Sequence, residues 1–340
     1  MTDKKRKYLS EFAVNLFSAR WLLIPSSQLA SDGKMDAEEA ETSKNCHIYL
    51  ICERPAISFD PGNFSYADSK ISGSLIYRVD GVEHRVNFEK EFPLLDGAVE
   101  LRISKYPHRE IQTFDACGNQ VRYMPANTIS ISHSPYDTDH VFRQLKVLYV
   151  GQAFGSGNRT AFERLQSHST LQKILSDVNY SSPDSEIFVM LVEYAPYRII
   201  THMNGLDKES IDDHRDTARY ISIINNPLKL GQQISLTEAA LIRYFQPEYN
   251  KIYKKKFPSR ELKVLAKCYE YDFSGLIVEI NTDGLNMSLF SDRVSPKMHH
   301  SANIDLVDYE QRKSFFHFWD SMGVAKTIVE TIGSEDNIKD

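Results

Sequence analysis

The chain has 340 residues, 41% of them apolar and 25% charged, with a net charge of −6. That length allows two or three domains, and the composition is that of an ordinary globular protein. No apolar run is long enough to span a bilayer, and the acidic balance does not advertise a polyanion binder. In chain order, Lys7 to Ile24 has helical spacing of Phe12, Leu16, Trp21 and Leu23, so a helix ending at Pro25 is expected. Ala30 to Lys44 is acidic and polar and reads as a loop. From His47 the texture turns to short strands: His47–Cys52, Gly73–Val79, Glu83–Phe88, Val99–Ile103, Ile111–Phe114 and Gln120–Tyr123. Asp80-Gly81 marks a hairpin between two of them, and Cys117-Gly118-Asn119 marks another turn. The expected first unit, residues 1–124, is an N-terminal helix with a β-rich domain.

Asn127 to His133 alternates and predicts a strand, and Val147–Val150 reads as a second, buried one. A glycine-bearing loop follows, then a predicted helix over Arg159–Ser176 in which Arg164 and His168 share a face. Glu186–Glu193 is a further strand, and residues 194–234 look like an insertion. Within it, Asp212 to Asp216 reads as a solvated charged turn, not a metal site. A helix is expected from Ser235, stopping before Pro247 and presenting Glu238 at the head of its apolar face. Ser235 and Glu238 also fit a capping box. After Pro258 the pattern predicts strands over Val264–Tyr271, Gly275–Ile280 and Asn286–Phe290, then a helix over Asp308–Met322 with Tyr309, Phe315, Phe316 and Trp319 as core or interface aromatics.

Charge is unevenly spread. Residues 141–260 hold 16 Lys+Arg and 12 Asp+Glu, a net of +4, which leaves −10 for the remainder. The densest basic group is Lys251, Lys254, Lys255, Lys256 and Arg260, a candidate grip for a phosphate backbone. Cys46, Cys52, Cys117 and Cys268 lack Cys-x-x-Cys spacing, so free thiols in a reducing cytoplasm are expected instead of a zinc site or disulfides.

Tyr149-Val150-Gly151, Arg164 with His168, Glu238 and Pro247-Glu248-Tyr249-Asn250 occur in an order that resembles the GIY-YIG nuclease family. The resemblance covers about a third of the chain, which implies an α+β protein. Its centre, residues 125–258, would be a small antiparallel sheet flanked by helices, and residues 259–340 a C-terminal β-plus-helix extension. The implied activity is metal-dependent phosphodiester hydrolysis, of DNA first and RNA as a further possibility, in a restriction or anti-phage setting. Glu238 would hold Mg²⁺ or Mn²⁺, and Arg164 would stabilise the phosphate. Tyr149 with His168 would orient or deprotonate water, and Asn250 would support the phosphate. The family's Gly-Ile-Tyr strand is absent ahead of Tyr149, so His133 or Tyr136 is the expected substitute. The alternative is a nuclease-like fold that binds nucleic acid or protein without cutting. Homo-oligomers or protein partners would use the flanking domains.

Overall fold

The computed structural model describes residues 7–30, 37–132, 141–153, 165, 168–203, 210–211, 213–308, 312–316 and 330–332. In chain order, β1 (Ser10–Pro25) leads into α1 (Ser26–Ala30), α2 (Ala37–Asn45) and β2 (Ile48–Pro55). Two hairpin-connected triplets follow: β3 (Ser58–Ala67), β4 (Lys70–Val79) and β5 (Val82–Glu91), then β6 (Ala98–Ile103), β7 (Glu110–Asp115) and β8 (Gln120–Pro125). Next come α3 (Ala126–Ser132), β9 (Gln144–Gln152), α4 (Ser169–Ser181), β10 (Ser185–Tyr194), β11 (Arg198–Met203), α5 (His214–Asn225) and α6 (Leu230–Phe245). The last elements are α7 (Ala266–Glu270), β12 (Gly275–Asn281), β13 (Ser288–Phe290), β14 (His299–Asp305) and β15 (Glu330–Ile332).

The protein is a strand-rich mixed α/β chain. Its main sheet runs β13-β9-β2-β10-β1-β12-β14-β15, with β11 also on β1, and curls into a nearly closed barrel. A bridge between Leu289 of β13 and Lys297, just ahead of β14, spans the seam. Strands of this one sheet come from all three segments that the sequence pattern separates at residues 124 and 258. The two triplets form separate small antiparallel sheets with their own apolar core, which includes Phe59, Ile71, Leu75, Phe88 and Ile111. They form an insert between β2 and β9, which pair antiparallel across it.

The core of the barrel is α6. Ile234, Leu236, Ala239, Ala240, Leu241, Ile242 and Phe245 are all buried, and they share one cluster with inward residues of β1, β2, β9, β10, β12 and β14. A helix apolar on nearly every side needs an enclosure, and the curled sheet provides it. Removing its apolar side chains from water stabilises the enclosure at about 25 cal/mol per Å².

Several expectations fail for physical reasons. The N-terminal segment is the strand β1, because it pairs on both edges and is covered on both faces. A strand of that kind reads as a continuous apolar run and carries no alternation. Residues 126–132 form α3: Ser130 donates back to the Asn127 carbonyl, and Ala126 and Ile129 pack into the insert core. Lys263–Glu270 is helical, with Leu265 and Cys268 buried, and no strand forms there. Residues 37–45 of the expected acidic loop are α2. Residues 194–234 are integral to the fold, because β11 pairs with β1 and Asp216 accepts from the Ser10 amide. Asp213 caps α5. The Asp80-Gly81 turn is present, with both residues at positive φ. The four cysteines are free thiols. Phe315 and Phe316 pack on Ala13 and Ile277, while Tyr309 and Trp319 lie outside the described residues. Among the described residues no helix is long and apolar enough to cross a membrane.

At the seam, His300 is buried and links α6 to β13. Tyr244 Oη lies 3.1 Å from its Nδ1, and its Nε2 lies 2.8 Å from the Leu289 carbonyl. The carbonyl can only accept, so Nε2 carries the proton and the tyrosine donates to Nδ1. Burial is the main cause that pushes this imidazole down to about 4 from its ordinary 6.5. The unfolded chain therefore takes up a proton first as pH falls. Stability is full above pH 6.5 and declines toward pH 4, by about 3 kcal/mol from this group. Urea titrations across that range should show the slope, and His300→Gln should flatten it.

Candidate active site

The site is built on the paired strands β2 and β9. Tyr49 of β2 stands opposite Gly151 of β9. A Cβ on Gly151 would sit 2.5 Å from the Tyr49 ring carbon Cζ and hydroxyl, and 2.8 Å from Tyr149 Cε1. Glycine is thus the residue that lets the two tyrosine rings approach the strand. Their centroids lie 6.1 Å apart. His168 completes a triangle, with its ring 5.7 Å from Tyr49 and 5.5 Å from Tyr149. Tyr49 is buried, whereas Tyr149 and His168 are half-buried.

His168 is the N-cap of α4, so it precedes the helix instead of riding on its face. Its Nδ1 accepts the Leu171 backbone N–H at 3.3 Å. Its Nε2 lies 3.1 Å from Tyr49 Oη. An accepting Nδ1 in a neutral ring leaves the proton on Nε2, so the ring donates to the phenol oxygen. Helix capping therefore sets the tautomer, and the tautomer sets the polarity of the Tyr49 contact.

Tyr49, which the sequence reading did not single out, is the residue that stands beside Tyr149 and His168. The signal was present as His47-Ile48-Tyr49, which resembles the absent Gly-Ile-Tyr wording, but it lies a hundred residues ahead of Tyr149. The strand-like stretch nearest ahead of β9 is the helix α3. His133, Tyr136 and Arg164 lie outside the described residues. Of the helix predicted over Arg159–Ser176, the part from Ser169 is present as α4, and it continues to Ser181.

The turn after α6 braces these strands. Asn250 is buried; its Oδ1 accepts from the Val150 N–H at 2.9 Å, and its Nδ2 donates to the Val150 carbonyl at 2.8 Å. Both ends of the amide are thus committed to the strand between Tyr149 and Gly151, so Asn250 positions the strand and does not reach toward a phosphate. The Tyr249 amide donates to the Leu148 carbonyl at 3.1 Å, and its hydroxyl donates to Asp177 of α4 at 3.0 Å. Burial, with the Asp177 carboxylate next in weight, pushes the Tyr249 phenol up to about 12. One turn of chain therefore fixes β9 and the helix capped by His168 together.

Glu238 is half-buried in the middle of α6. The helix starts at Leu230, and the Lys229 amide is capped by Gln232 at 2.8 Å. Ser235 instead donates back to the Gly231 carbonyl, and its hydroxyl lies 3.4 Å from Gln152 Oε1 at the end of β9. The expected capping box of Ser235 and Glu238 is therefore absent, and Glu238 has no capping duty there. Its charge adds to burial in raising the Tyr253 phenol. A half-buried carboxylate is a hard oxygen donor of the kind Mg²⁺ takes one or two of, alongside substrate phosphate. Among the described residues no group of three or more His, Cys, Asp or Glu could cage a metal.

Lys251, Lys255 and Lys256 are exposed beside this turn. Lys254 is half-buried, with Nζ 3.4 Å from the Glu248 carbonyl. The Arg260 guanidinium lies 5.5 Å from the Tyr269 ring centroid, facing a separate cavity. The chain matches no protein-family model, no curated protein and no solved structure.

Asn250→Ala removes both hydrogen bonds to Val150 and leaves two buried backbone groups without partners. It should cost about 2–4 kcal/mol in a denaturant titration. Asn250→Asp should restore only the contact to the N–H and recover part of that loss.

Proposed function

We propose that this protein is a metal-dependent endonuclease that hydrolyses phosphodiester bonds, with DNA as the favoured substrate, on a hairpin like that of the GIY-YIG nucleases. The observation that carries the reading is the triangle of Tyr49, Tyr149 and His168 around Gly151, with Tyr49 Oη 3.1 Å from His168 Nε2. Two phenols and an imidazole in mutual contact over a glycine suit the movement of a proton. Tyr49, Tyr149 and His168 orient a water that attacks phosphorus; the bond to the leaving ester oxygen breaks, and the proton the water gives up ends on that oxygen. His168 holds the Tyr49 oxygen, and Tyr149 lies against both rings. Arg164 neutralises charge on the non-bridging oxygens. A divalent cation held by Glu238 would supply further charge neutralisation when bound. Of the basic residues after Asn250, the exposed Lys251, Lys255 and Lys256 would grip the backbone beside the site.

The alternative of a nuclease-like module that binds without cutting drew on the lack of a first-motif tyrosine. Tyr49 offers that group, which supports the cutting reading.

The test is nicking of supercoiled plasmid, with single-stranded DNA and RNA alongside, in Mg²⁺, Mn²⁺ or EDTA. Tyr49→Phe deletes one oxygen and should slow cleavage by about 10²–10⁴-fold with folding intact. Glu238→Gln and Arg164→Ala should each do at least as much damage. Cutting that survives Tyr49→Phe and Glu238→Gln at full rate would remove this site from consideration.

A further inference from the structure

α4 is held against the sheet in two ways. Leu171, Ile174 and Val178 bury its inner face in one cluster with Tyr49, Ile51, Leu148 and Val189. Apolar contact of this kind is non-directional, so it fixes which face is inward and tolerates a slide along the helix axis. The directional tie is made to one residue, Tyr249. Lys173 and Asp177 are four apart and share a face of α4. The Lys173 ammonium lies 5.6 Å from the Tyr249 ring centroid, and the Asp177 carboxylate accepts from the Tyr249 hydroxyl at 3.0 Å. Among the described residues, that is the one side-chain hydrogen bond from Ser169–Ser181 to another element.

Tyr249 holds the other half of the triangle through its backbone. Its amide donates to the Leu148 carbonyl at 3.1 Å, on one side of Tyr149, and Asn250 holds Val150 on the other. Tyr149 is thus placed by the backbone of this turn, and His168 by its Tyr249 side chain. Asp177 follows His168 by nine residues, about 13 Å along the axis at ~1.5 Å per residue. A helix slides as a unit, so a shift at Asp177 arrives undiminished at His168. About half an ångström is enough to carry the 3.1 Å contact between His168 Nε2 and Tyr49 Oη out of hydrogen-bond range. Burial and the Asp177 carboxylate push the Tyr249 phenol up to about 12, so it stays a donor at neutral pH.

We propose that Tyr249 and Asp177 are positioning residues for the cleavage reaction: their hydrogen bond sets the axial place of α4, and with it the contact of His168 with Tyr49. This rests on the hydrolytic reading of the Tyr49, Tyr149 and His168 cluster, and neither positioning residue touches substrate.

Tyr249→Phe removes one oxygen and keeps the ring and the backbone bond to Leu148. In plasmid nicking it should lower kcat by about tenfold with KM unchanged, since the lysines that hold the backbone are untouched. Asp177→Ala should do the same. Asp177→Asn still offers an acceptor oxygen and should stay within about twofold of the wild type. The double variant Tyr249→Phe/Asp177→Ala should be no slower than either single one, because both remove the same bond. A readout without substrate runs alongside. Nuclear Overhauser contacts between the ring protons of Tyr49 and His168 should weaken in Tyr249→Phe and persist in Asp177→Asn. A tie that only stabilised α4 would lower the melting temperature and leave kcat and the ring contacts in place. Full kcat in Tyr249→Phe, losses that multiply in the double variant, or unchanged ring contacts each overturn the proposal. If the wild-type protein cuts no nucleic acid, the hydrolytic reading fails on its own account, and the ring contacts alone then uphold or overturn the positioning of His168 by Tyr249.

Discussion

The enclosure of α6 by the curled sheet is the constraint on which the rest of the molecule depends. A helix with Ile234, Leu236, Ala239 to Ile242 and Phe245 all buried cannot stand at a surface. The sheet must bend around it, and bending brings β13 and β9 near β14 until only a short seam is left. Tyr244 and His300 tie the helix to that seam. The chain leaving the helix has one direct way out, past β9, and there Asn250 and Tyr249 bind the backbone of Val150 and Leu148. The shape of the candidate site thus follows from core packing: the brace on β9 is the exit of the core helix.

The pairing of β2 with β9 is the least local feature of the fold. A hairpin with residues 56–143 between its strands would carry a large closure entropy if that segment were floppy. Residues 57–129 of it are ordered by sheets and a core of their own. The insert also returns to the main sheet at a defined place. Glu186 of β10 binds Arg54 of β2 at 2.9 Å and Arg109 of the insert at 3.5 Å, and Arg54 is fully buried against Phe188. A buried guanidinium without its carboxylate would be costly, so this group ties the end of β2 to β10 and to the insert.

What could be read from the sequence follows from how far apart the interacting residues lie. The strands and turns of the insert, Asp80-Gly81 and Gly118 among them, are local and were legible, as were β9, β10 and β12. β1 was not, because a strand covered on both faces loses the alternation that marks strands. α3 was mistaken for a strand because Thr128-Ile-Ser-Ile-Ser132 alternates and yet packs Ala126 and Ile129 at helical spacing. In the candidate site, Tyr149, His168, Glu238 and Asn250 were named through the resemblance to the GIY-YIG motifs, each of which lies within one short segment. Tyr49 was not, because its relation to Tyr149 is created by an insertion. The role of Asn250 also changed, since no spacing rule reveals that both ends of an amide are spent on one residue of a neighbouring strand.

His168 shows how structural and chemical duties can rest on one side chain. As an N-cap it must offer a lone pair at Nδ1 to the Leu171 amide. That demand keeps the imidazole neutral, because an imidazolium has no lone pair to offer. The neutral ring then has one proton, at Nε2, aimed at Tyr49 Oη. The direction of the Tyr49 contact is therefore set by the first turn of a helix, and Tyr249 and Asp177 fasten that same helix to the turn that braces β9.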